Sequence, residues 1–263
     1  MLEDFPVRPA LCLVAPQQSQ CRCITIIGRG VVIHFLLLAF VPGKDGSMGR
    51  TILVTGFQPF GGERMNPAWE AVKRLPDAIA DATVVKAEIP VVFGKAPEAV
   101  EAAIKEAQPD IVLCIGQAGG RAKITPEFVA INYADARIPD NDGNQPIAER
   151  IEPEGPAAYF ATLPVKAMVQ AMNEAGIPAE VSYTAGTYVC NDVMYELLHM
   201  LACRYPGVRG DFLHVPYATE QAAHLPSGTP SMEIETMVKG ITVALEAALA
   251  HDEDLAIATG STH

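Results

Sequence analysis

Two uninterrupted apolar runs, residues 52–55 and 111–115, constrain the fold of this 263-residue chain more than any other feature. Each run has the length of a strand rather than of a helix. A strand without polar alternation is typical of a sheet that is buried on both faces, as when helices cover a mostly parallel sheet. We therefore predict an α/β fold, a three-layer α/β/α sandwich with a mostly parallel central sheet.

Strand-like and helix-like segments alternate from residue 51 onward, with no repeat or low-complexity linker between them. The predicted strands are Thr51–Gly56, Thr83–Ile89, Asp110–Ile115, Phe128–Tyr133, Ala179–Tyr183 and Asp211–Pro216. The predicted helices are Pro67–Leu75, Lys95–Gln108, Tyr159–Ala175, Val189–Arg204 and Ser231–Ala250, with Asn66 as the N-cap of the first. We interpret residues 48–263 as a single α/β domain.

The first 47 residues differ from the rest and are interpreted as an N-terminal extension. They hold three of the six cysteines and an apolar run, Val31–Val41, that is too short for a bilayer, which needs about 20 residues. The acidic start of the chain argues against a signal peptide. Met48 directly precedes a strong strand, so a misassigned start is one explanation. A disordered or loosely packed arm and a membrane-associating segment are the others.

Charge and cysteine content exclude several classes of protein. The chain has 19 basic and 31 acidic residues, a net charge of −12, and no basic block that could follow a phosphate backbone, so no nucleic-acid partner is expected. Scattered cysteines in a chain of this length indicate a reduced, cytoplasmic protein. Cys21 and Cys23 lack the further ligands of a zinc site, and no phosphate-binding loop is present, so we expect neither a metal nor a cofactor.

Cys190 lies where a predicted strand and turn lead into a predicted helix. Unpaired backbone N–H groups and the positive end of the helix dipole stabilise a thiolate there, so we expect the pKa of this thiol to be lowered. The alternative is a small buried side chain with no chemistry. The decision between them depends on the other strand-end loops, because ligands bind beyond the carboxyl ends of parallel strands.

Those loops carry aromatic, amide and charged side chains. Phe57 and Phe60 stand on a Gly/Pro-rich loop and either wall a small apolar pocket or pack that loop onto the core. Gln117 follows the third strand in a Gly-rich segment and offers both a donor and an acceptor. Glu127 begins an apolar strand, where its charge needs a partner, or else forms a surface ion pair. Arg137 can present a guanidinium to a developing negative charge.

His214 is the only one of six histidines predicted at the carboxyl end of a strand. A thiol nucleophile at Cys190, a general base at His214 and an acidic residue that orients the imidazole would form a catalytic triad. Together these residues favour a thiol hydrolase.

The same segments resemble pyroglutamyl-peptidase I, also called pyrrolidone-carboxylate peptidase. The motifs that carry the resemblance are GFQPFGG at 56–62 with Asn66-Pro67, GQAGGR at 116–121, the strand after Glu127, DARIPD at 135–140, TAGTYVCN at 184–191 and His214-Val215-Pro216. They occur in order between about residues 51 and 249 and leave 1–47 uncovered.

The resemblance implies a cysteine peptidase that removes an N-terminal pyroglutamyl residue from peptides through a thioester. The resemblance implies that Cys190 is the nucleophile, that His214 is the general base and acid, and that Glu127 orients the imidazole. Arg137 matches the oxyanion region, and the residues around the pyroglutamyl ring are Phe57, Phe60, Gln117 and Val189. It also implies a homotetramer without a cofactor.

Two rival functions stay open: a catalytically inactive pyroglutamyl-binding module, and another small-amide hydrolase or a nucleoside phosphorylase of similar fold. Tyr183 stands where relatives often carry Asn, and Tyr188 where many carry Phe. Both departures concern the shape and polarity of the pocket and leave the predicted catalytic set intact.

Overall fold

The computed structural model of the chain describes residues 23–28, 31–36 and 49–260. The chain divides into two compact units, Met1–Met48 and Gly49–His263. In the first unit, strands β1 (Cys23–Gly28) and β2 (Val31–Leu36) pair as an antiparallel hairpin. Cys21, the remainder of the Val31–Val41 run and Met48 lie outside the described residues.

The second unit is built on a six-stranded sheet. Its strands, in chain order, are β3 (Thr51–Phe57), β4 (Ala78–Ile79), β5 (Ala82–Ile89), β6 (Ile111–Gln117), β7 (Thr125–Pro126) and β10 (Arg209–Val215). The order across the sheet is β4-β5-β3-β6-β10-β7. The four central strands are parallel, and the two short edge strands are antiparallel. The predicted mostly parallel sheet is therefore confirmed.

Two smaller sheets and six helices complete the described part of this unit. Strands β8 (Val129–Ile131) and β9 (Ala158–Phe160) pair antiparallel, and β11 (Tyr217–Ala218) and β12 (Ser231–Met232) pair in parallel. The helices are α1 (Pro67–Lys73), α2 (Lys95–Ala107), α3 (Val165–Glu174), α4 (Val189–Arg204), α5 (Thr219–Ala222) and α6 (Ile234–Ala250).

The core lies on both faces of the central sheet, as the uninterrupted apolar strands predict. Alternate residues of β3 point to opposite faces: Ile52 and Val54 pack with α1, α3 and α6, whereas Leu53 packs with α2 and α4. All three side chains are fully buried. Helices on both faces of a parallel sheet form the three-layer sandwich that the sequence predicts.

Helix α1 begins where its cap was predicted. Asn66 accepts a hydrogen bond from the Ala68 N–H at 3.0 Å through its side chain, and Pro67 occupies the first turn. The Asn66 amide also donates to the carbonyl of Gln58 at 3.0 Å. One side chain thus ties the start of α1 to the loop that follows β3.

The predicted strand Ala179–Tyr183 is wrong. Only isolated parallel bridges occur there, between Ala179 and Ile124 and between Ser182 and Glu127. Backbone bonds run from Glu180 to Ile124 and from Ser182 to Pro126, but Pro126 has no N–H to donate back to this segment. The proline therefore interrupts a ladder that the apolar alternation alone predicts.

Two predicted helices begin later than expected. The helix predicted from Tyr159 starts at Val165, because Pro164 disfavours helical backbone in the residue before it. Tyr159 instead belongs to β9. The helix predicted from Ser231 starts at Ile234, since Ser231 and Met232 pair with β11. The strand predicted at Phe128–Tyr133 is limited to β8.

Candidate active site

The predicted nucleophile and base both lie at the carboxyl end of the central sheet. In the parallel pairing of β6 and β10, Gly116 lies directly beside His214. Cys190 is the second residue of α4, and Tyr188 is the N-cap of that helix. A Cβ atom placed on Gly116 would lie 3.1 Å from Cys190 Sγ. The thiol therefore rests on the end of β6, next to the strand that carries the imidazole.

Glu127 is buried behind His214 and is hydrogen-bonded to it. Its side chain has 0% exposure, and its Oε1 lies 2.7 Å from His214 Nδ1. An ionised carboxylate only accepts hydrogen bonds, so Nδ1 carries the proton and Nε2 is left with a lone pair. The ring of Phe212 packs against the imidazole at a centroid distance of 4.9 Å. The surface ion pair considered as the alternative for Glu127 is thus wrong.

Arg121 completes this chain of polar groups, although no sequence motif predicted a role for it. Its Nη1 donates to Glu127 Oε1 and to Thr125 Oγ1, each at 2.6 Å, and its Nη2 donates to the carbonyl of Thr184 at 3.1 Å. Glu127 Oε2 is buried without a hydrogen-bond partner among the described residues. One guanidinium therefore balances this buried charge. A basic residue six positions before the acid was the signal available in the sequence.

The pKa of the Cys190 thiol is raised, to about 12, rather than lowered. Burial is the largest cause, the neighbouring Glu127 charge adds to it, and Arg121 acts in the opposite direction. The predicted lowering of this pKa by the helix start is therefore wrong. Desolvation outweighs the helix dipole, so the resting side chain is a thiol that must lose its proton during the reaction.

A small cavity, about 50 Å³, opens beside Cys190. The four side chains predicted to surround the substrate ring all line it: Phe57, Phe60, Gln117 and Val189. Phe57 also packs into the core beside Phe212, with ring centroids 6.1 Å apart. Phe57 therefore fits both interpretations of this loop, because its ring packs into the core and also forms part of the cavity wall. Asn66, Val91 and Tyr188 complete the lining.

Arg137 lies on an exposed loop, and it does not line the cavity. No hydrogen bond or ion pair joins its guanidinium to another residue in the described part of the chain. Its loop is nevertheless tied to the start of α4, because Thr187 Oγ1 donates to the carbonyl of Asp135 and Tyr188 donates to that of Pro139. The backbone around Arg137 is therefore held next to the residues that precede Cys190.

A wider groove of about 360 Å³ runs along α4 from Asp192 to Arg204. Cys190 is not among its lining residues, and most of its charged side chains are acidic. No cluster of His, Cys, Asp and Glu in the described ranges is suited to hold a metal ion. Cys190 instead lines the smaller cavity.

Comparison with known proteins identifies the family. The family model described as pyroglutamyl peptidase matches residues 50–251. The chain belongs to the pyroglutamyl peptidase family. A pyrrolidone-carboxylate peptidase of Brevibacillus brevis is 55% identical over 212 residues, which cover 80% of this chain and 98% of that protein. A pyrrolidone-carboxylate peptidase of Levilactobacillus brevis is 56% identical over 196 residues, covering 74% of this chain and 96% of that protein.

Solved structures of the pyroglutamyl peptidase family share the fold. Pyroglutamyl peptidase I of Bacillus amyloliquefaciens superposes with a TM-score of 0.78 at 48% identity, covering 80% of this chain and 100% of that one. A mutant pyrrolidone carboxyl peptidase of Pyrococcus furiosus superposes with a TM-score of 0.73 at 44% identity, covering 76% of this chain and 98% of that one. Residues 1–49 lie outside the family match. Among the described helices, none is both long and apolar enough to cross a membrane.

Tyr188 and Tyr183, which the sequence marks as departures from the expected pocket, lie differently relative to the cavity. Tyr188 lines the cavity with its ring, but its hydroxyl donates to the Pro139 carbonyl at 3.0 Å. Phe93 packs edge-on against that ring at 5.4 Å. Tyr183 is not in the lining and contacts Phe128 and Thr259 instead. The extra hydroxyl of Tyr188 is thus engaged by the backbone outside the cavity.

Proposed function

We propose that Cys190, His214 and Glu127 carry out the pyroglutamyl-peptidase reaction of this chain, the removal of an N-terminal pyroglutamyl residue from a peptide. The observation that carries the proposal is the placement of Cys190 Sγ over Gly116, beside a histidine whose Nδ1 is hydrogen-bonded to a buried carboxylate. That arrangement leaves Nε2 to act on the thiol.

The first half of the reaction forms a thioester. The thiol proton passes to His214 Nε2 while Sγ attacks the carbonyl carbon that joins pyroglutamate to the next residue. A raised thiol pKa is consistent with this coupled transfer, because the proton leaves only as the new C–S bond forms. The tetrahedral intermediate then expels the peptide amine, which takes the proton from the imidazolium.

The second half regenerates the enzyme. Water gives a proton to His214 Nε2 and attacks the thioester carbonyl. Collapse of the second intermediate releases pyroglutamate and returns the proton to sulfur. Glu127 accepts the hydrogen bond from Nδ1 and stabilises the imidazolium, while Arg121 holds the carboxylate in place.

Negative charge on the carbonyl oxygen is stabilised by groups at the start of α4 and by Arg137. The first backbone N–H groups of a helix have no partner within it and point at a ligand bound there. Arg137 stands on the exposed loop that is hydrogen-bonded to Thr187 and Tyr188 at the start of α4, which supports its assignment to the oxyanion region.

The cavity recognises a neutral ring. A pyroglutamyl residue is a five-membered lactam without a free amine, so a carboxylate in the pocket would serve no purpose. Phe57, Phe60 and Val189 supply apolar walls, and Gln117 supplies an amide that can pair with the lactam. Buried polar pairing rejects analogues that lack the matching groups far more strongly than apolar shape does.

We propose further that the chain works in the cytoplasm as a homotetramer, as the resemblance implies. Cys114, Cys190 and Cys203 are free thiols, which suits a reducing compartment. Light scattering of the purified full chain tests the assembly: a mass other than four chains contradicts it.

The deciding experiment compares a chromogenic pyroglutamyl amide with the matching prolyl amide, whose ring lacks the lactam carbonyl. Hydrolysis of the first and not the second is expected, and Cys190→Ser should abolish it. Wild-type rates in Cys190→Ser would refute the thiol mechanism. Binding of pyroglutamate without turnover would identify an inactive binding module. A loss on chelation that zinc restores would point to a metal-dependent amidase.

A further inference from the structure

Gln221 carries a buried side-chain amide on the short helix α5. The proposed reaction gives this amide no role. Its side chain is 5% exposed. Its Oε1 accepts a hydrogen bond from the Ala218 N–H at 3.0 Å. Its Nε2 lies 3.3 Å from Gln117 Oε1 and 3.5 Å from Glu63 Oε2. Gln221 therefore contacts Gln117, which lines the cavity.

The orientation of both amides follows from one fixed donor. The Ala218 backbone N–H can only donate, so the oxygen of Gln221 must face it. The amino group of Gln221 then faces Gln117 and Glu63, and its two hydrogens match the two acceptors. Gln117 must in turn direct its oxygen toward Gln221, because a second amino group there would leave two donors facing each other.

Because Gln221 holds the Gln117 oxygen, the Gln117 amino group must point away from Gln221. The two polar atoms of one amide point apart, and the Nε2 atom of Gln117 donates to no other residue in the part of the chain that the structure describes. Gln117 lines the cavity together with Cys190, Phe57 and Phe60. The cavity wall at Gln117 therefore offers hydrogen-bond donors rather than an acceptor.

We propose that Gln221 is a specificity-determining positioning residue, which fixes the Gln117 amide with its donors toward the substrate so that the pocket selects a ring bearing a carbonyl acceptor. This rests on the pyroglutamyl-peptidase function proposed above. The lactam carbonyl of a pyroglutamyl residue accepts such a hydrogen bond. A prolyl ring has a methylene at that position and leaves the donors unpaired, which is costly in a buried site.

The first test measures steady-state kinetics of the full-length Gln221→Met variant with a pyroglutamyl amide. Methionine keeps the length and burial of the side chain but frees Gln117 to turn. A net hydrogen bond is worth about 1 kcal/mol, so kcat/KM should fall about fivefold, mainly through KM. The inhibition constant of 2-pyrrolidone should rise by the same factor. Glu220→Gln, an exposed change on the same helix, should alter neither.

A double-mutant cycle separates this role from a general loss of structure. In a Gln117→Met background, Gln221→Met should have almost no further effect on KM, since the amide through which it acts is gone. Independent, multiplicative effects of the two changes would overturn the inference, as would an unchanged KM and inhibition constant in Gln221→Met. Gln221→Glu, which retains the bond from Ala218 but repels the Gln117 oxygen, should weaken substrate binding at least as much.

A third test uses the wild-type chain and therefore does not depend on the folding of a variant. The thiolactam 2-pyrrolidinethione keeps the ring but has a weaker acceptor, so it should inhibit several-fold less strongly than 2-pyrrolidone. Equal or stronger inhibition would overturn the inference. A wild-type chain that fails to hydrolyse the pyroglutamyl amide contradicts the proposed function instead. Normal hydrolysis with a silent Gln221→Met contradicts only the role of Gln221.

Discussion

Arg121 and His214 share one oxygen of Glu127: the guanidinium Nη1 lies 2.6 Å from Oε1, and the imidazole Nδ1 lies 2.7 Å from the same atom. The carboxylate is 0% exposed, whereas the arginine is 30% exposed. Burial of an isolated charge is costly, so an ionised Glu127 depends on a cation that reaches it from the surface. The orientation of the imidazole thus depends on a residue outside the predicted catalytic set.

Arg121→Met should lower both activity and stability. Removing one partner of a buried ion pair leaves the other charge uncompensated, and because Arg121 is partly exposed we expect a loss of about 2 kcal/mol. We expect kcat to fall about tenfold or more, with KM less affected, since the change acts through Glu127 and His214. Urea unfolding and steady-state kinetics measure the two effects.

Chemical rescue distinguishes positioning by Arg121 from mere structural support. Added guanidinium, well below denaturing concentration, should restore part of kcat in Arg121→Met, and Arg121→Lys should retain more activity than Arg121→Met. Arg74→Met is the control, because the ion pairs of Arg74 lie on the surface. Full activity in Arg121→Met would show that the carboxylate needs no cation.

Gly116→Ala should damage catalysis by crowding the thiol. The added Cβ would lie 2.7 Å from Cζ of Phe212 and 3.1 Å from Cys190 Sγ, so both groups must move. Overpacking of this kind costs about 1–3 kcal/mol. Because sulfur is displaced relative to His214, we expect kcat to fall well beyond any change in KM.

Gly210→Ala is a matched control on the neighbouring strand. Its Cβ would lie 2.6 Å from Cδ1 of Leu201, so it also crowds the core, but away from the cavity. It should lower the melting temperature while leaving kcat of the folded enzyme unchanged. Equal losses of kcat in the two variants would mean that crowding at Gly116 has no special effect on the thiol.

The reactivity of Cys190 should follow a raised pKa. Since burial and Glu127 raise the pKa to about 12, the thiol is protonated at neutral pH. In a Cys203→Ser background, which removes the exposed thiol of residues 49–260, inactivation by iodoacetamide should accelerate steadily from about pH 7 to about pH 10. A plateau already reached near pH 7 would instead reveal a preformed thiolate.

Elements fixed by local chemistry were predictable from the sequence, and pairings between distant segments were not. The apolar runs in β3 and β6 predicted burial on both faces, the Asn66-Pro67 pair predicted the start of α1, and α4 has its predicted bounds. Each of these signals lies within a few residues of the element it specifies.

The errors arise where a distant segment decides the outcome. Whether residues 179–183 form a strand depends on Pro126, which lies more than fifty residues earlier and cannot donate to them. Gln221 meets Gln117 across 104 positions, and no local pattern marks that contact. The predicted lowering of the Cys190 pKa was wrong for a similar reason. The sequence shows where the helix starts, but it does not show the burial that raises the pKa.

Asp192, on the first turn of α4, should make stability depend on pH. Burial raises its pKa from 3.8 to about 6, and its Oδ2 accepts a backbone hydrogen bond from the Gly94 N–H at 3.1 Å. The folded state therefore binds this proton more tightly than the unfolded state does. The free energy of unfolding falls as pH rises from about 4 to about 6, by up to about 3 kcal/mol.

Asp192→Asn tests this sign directly. The amide keeps an oxygen for the Gly94 N–H but carries no charge, so the variant should be more stable than wild type at about pH 7.5, with the difference vanishing near pH 4. Glu196, one turn later, has its pKa raised to about 7 by burial and by neighbouring carboxylates that include Asp192. Removing the Asp192 charge therefore also removes one of the causes that raise the pKa of Glu196. Urea midpoints across this pH range measure the effect, with Asp252→Asn, 98% exposed, as the control. A difference independent of pH would mean that Asp192 is ionised in the folded state at its ordinary pKa.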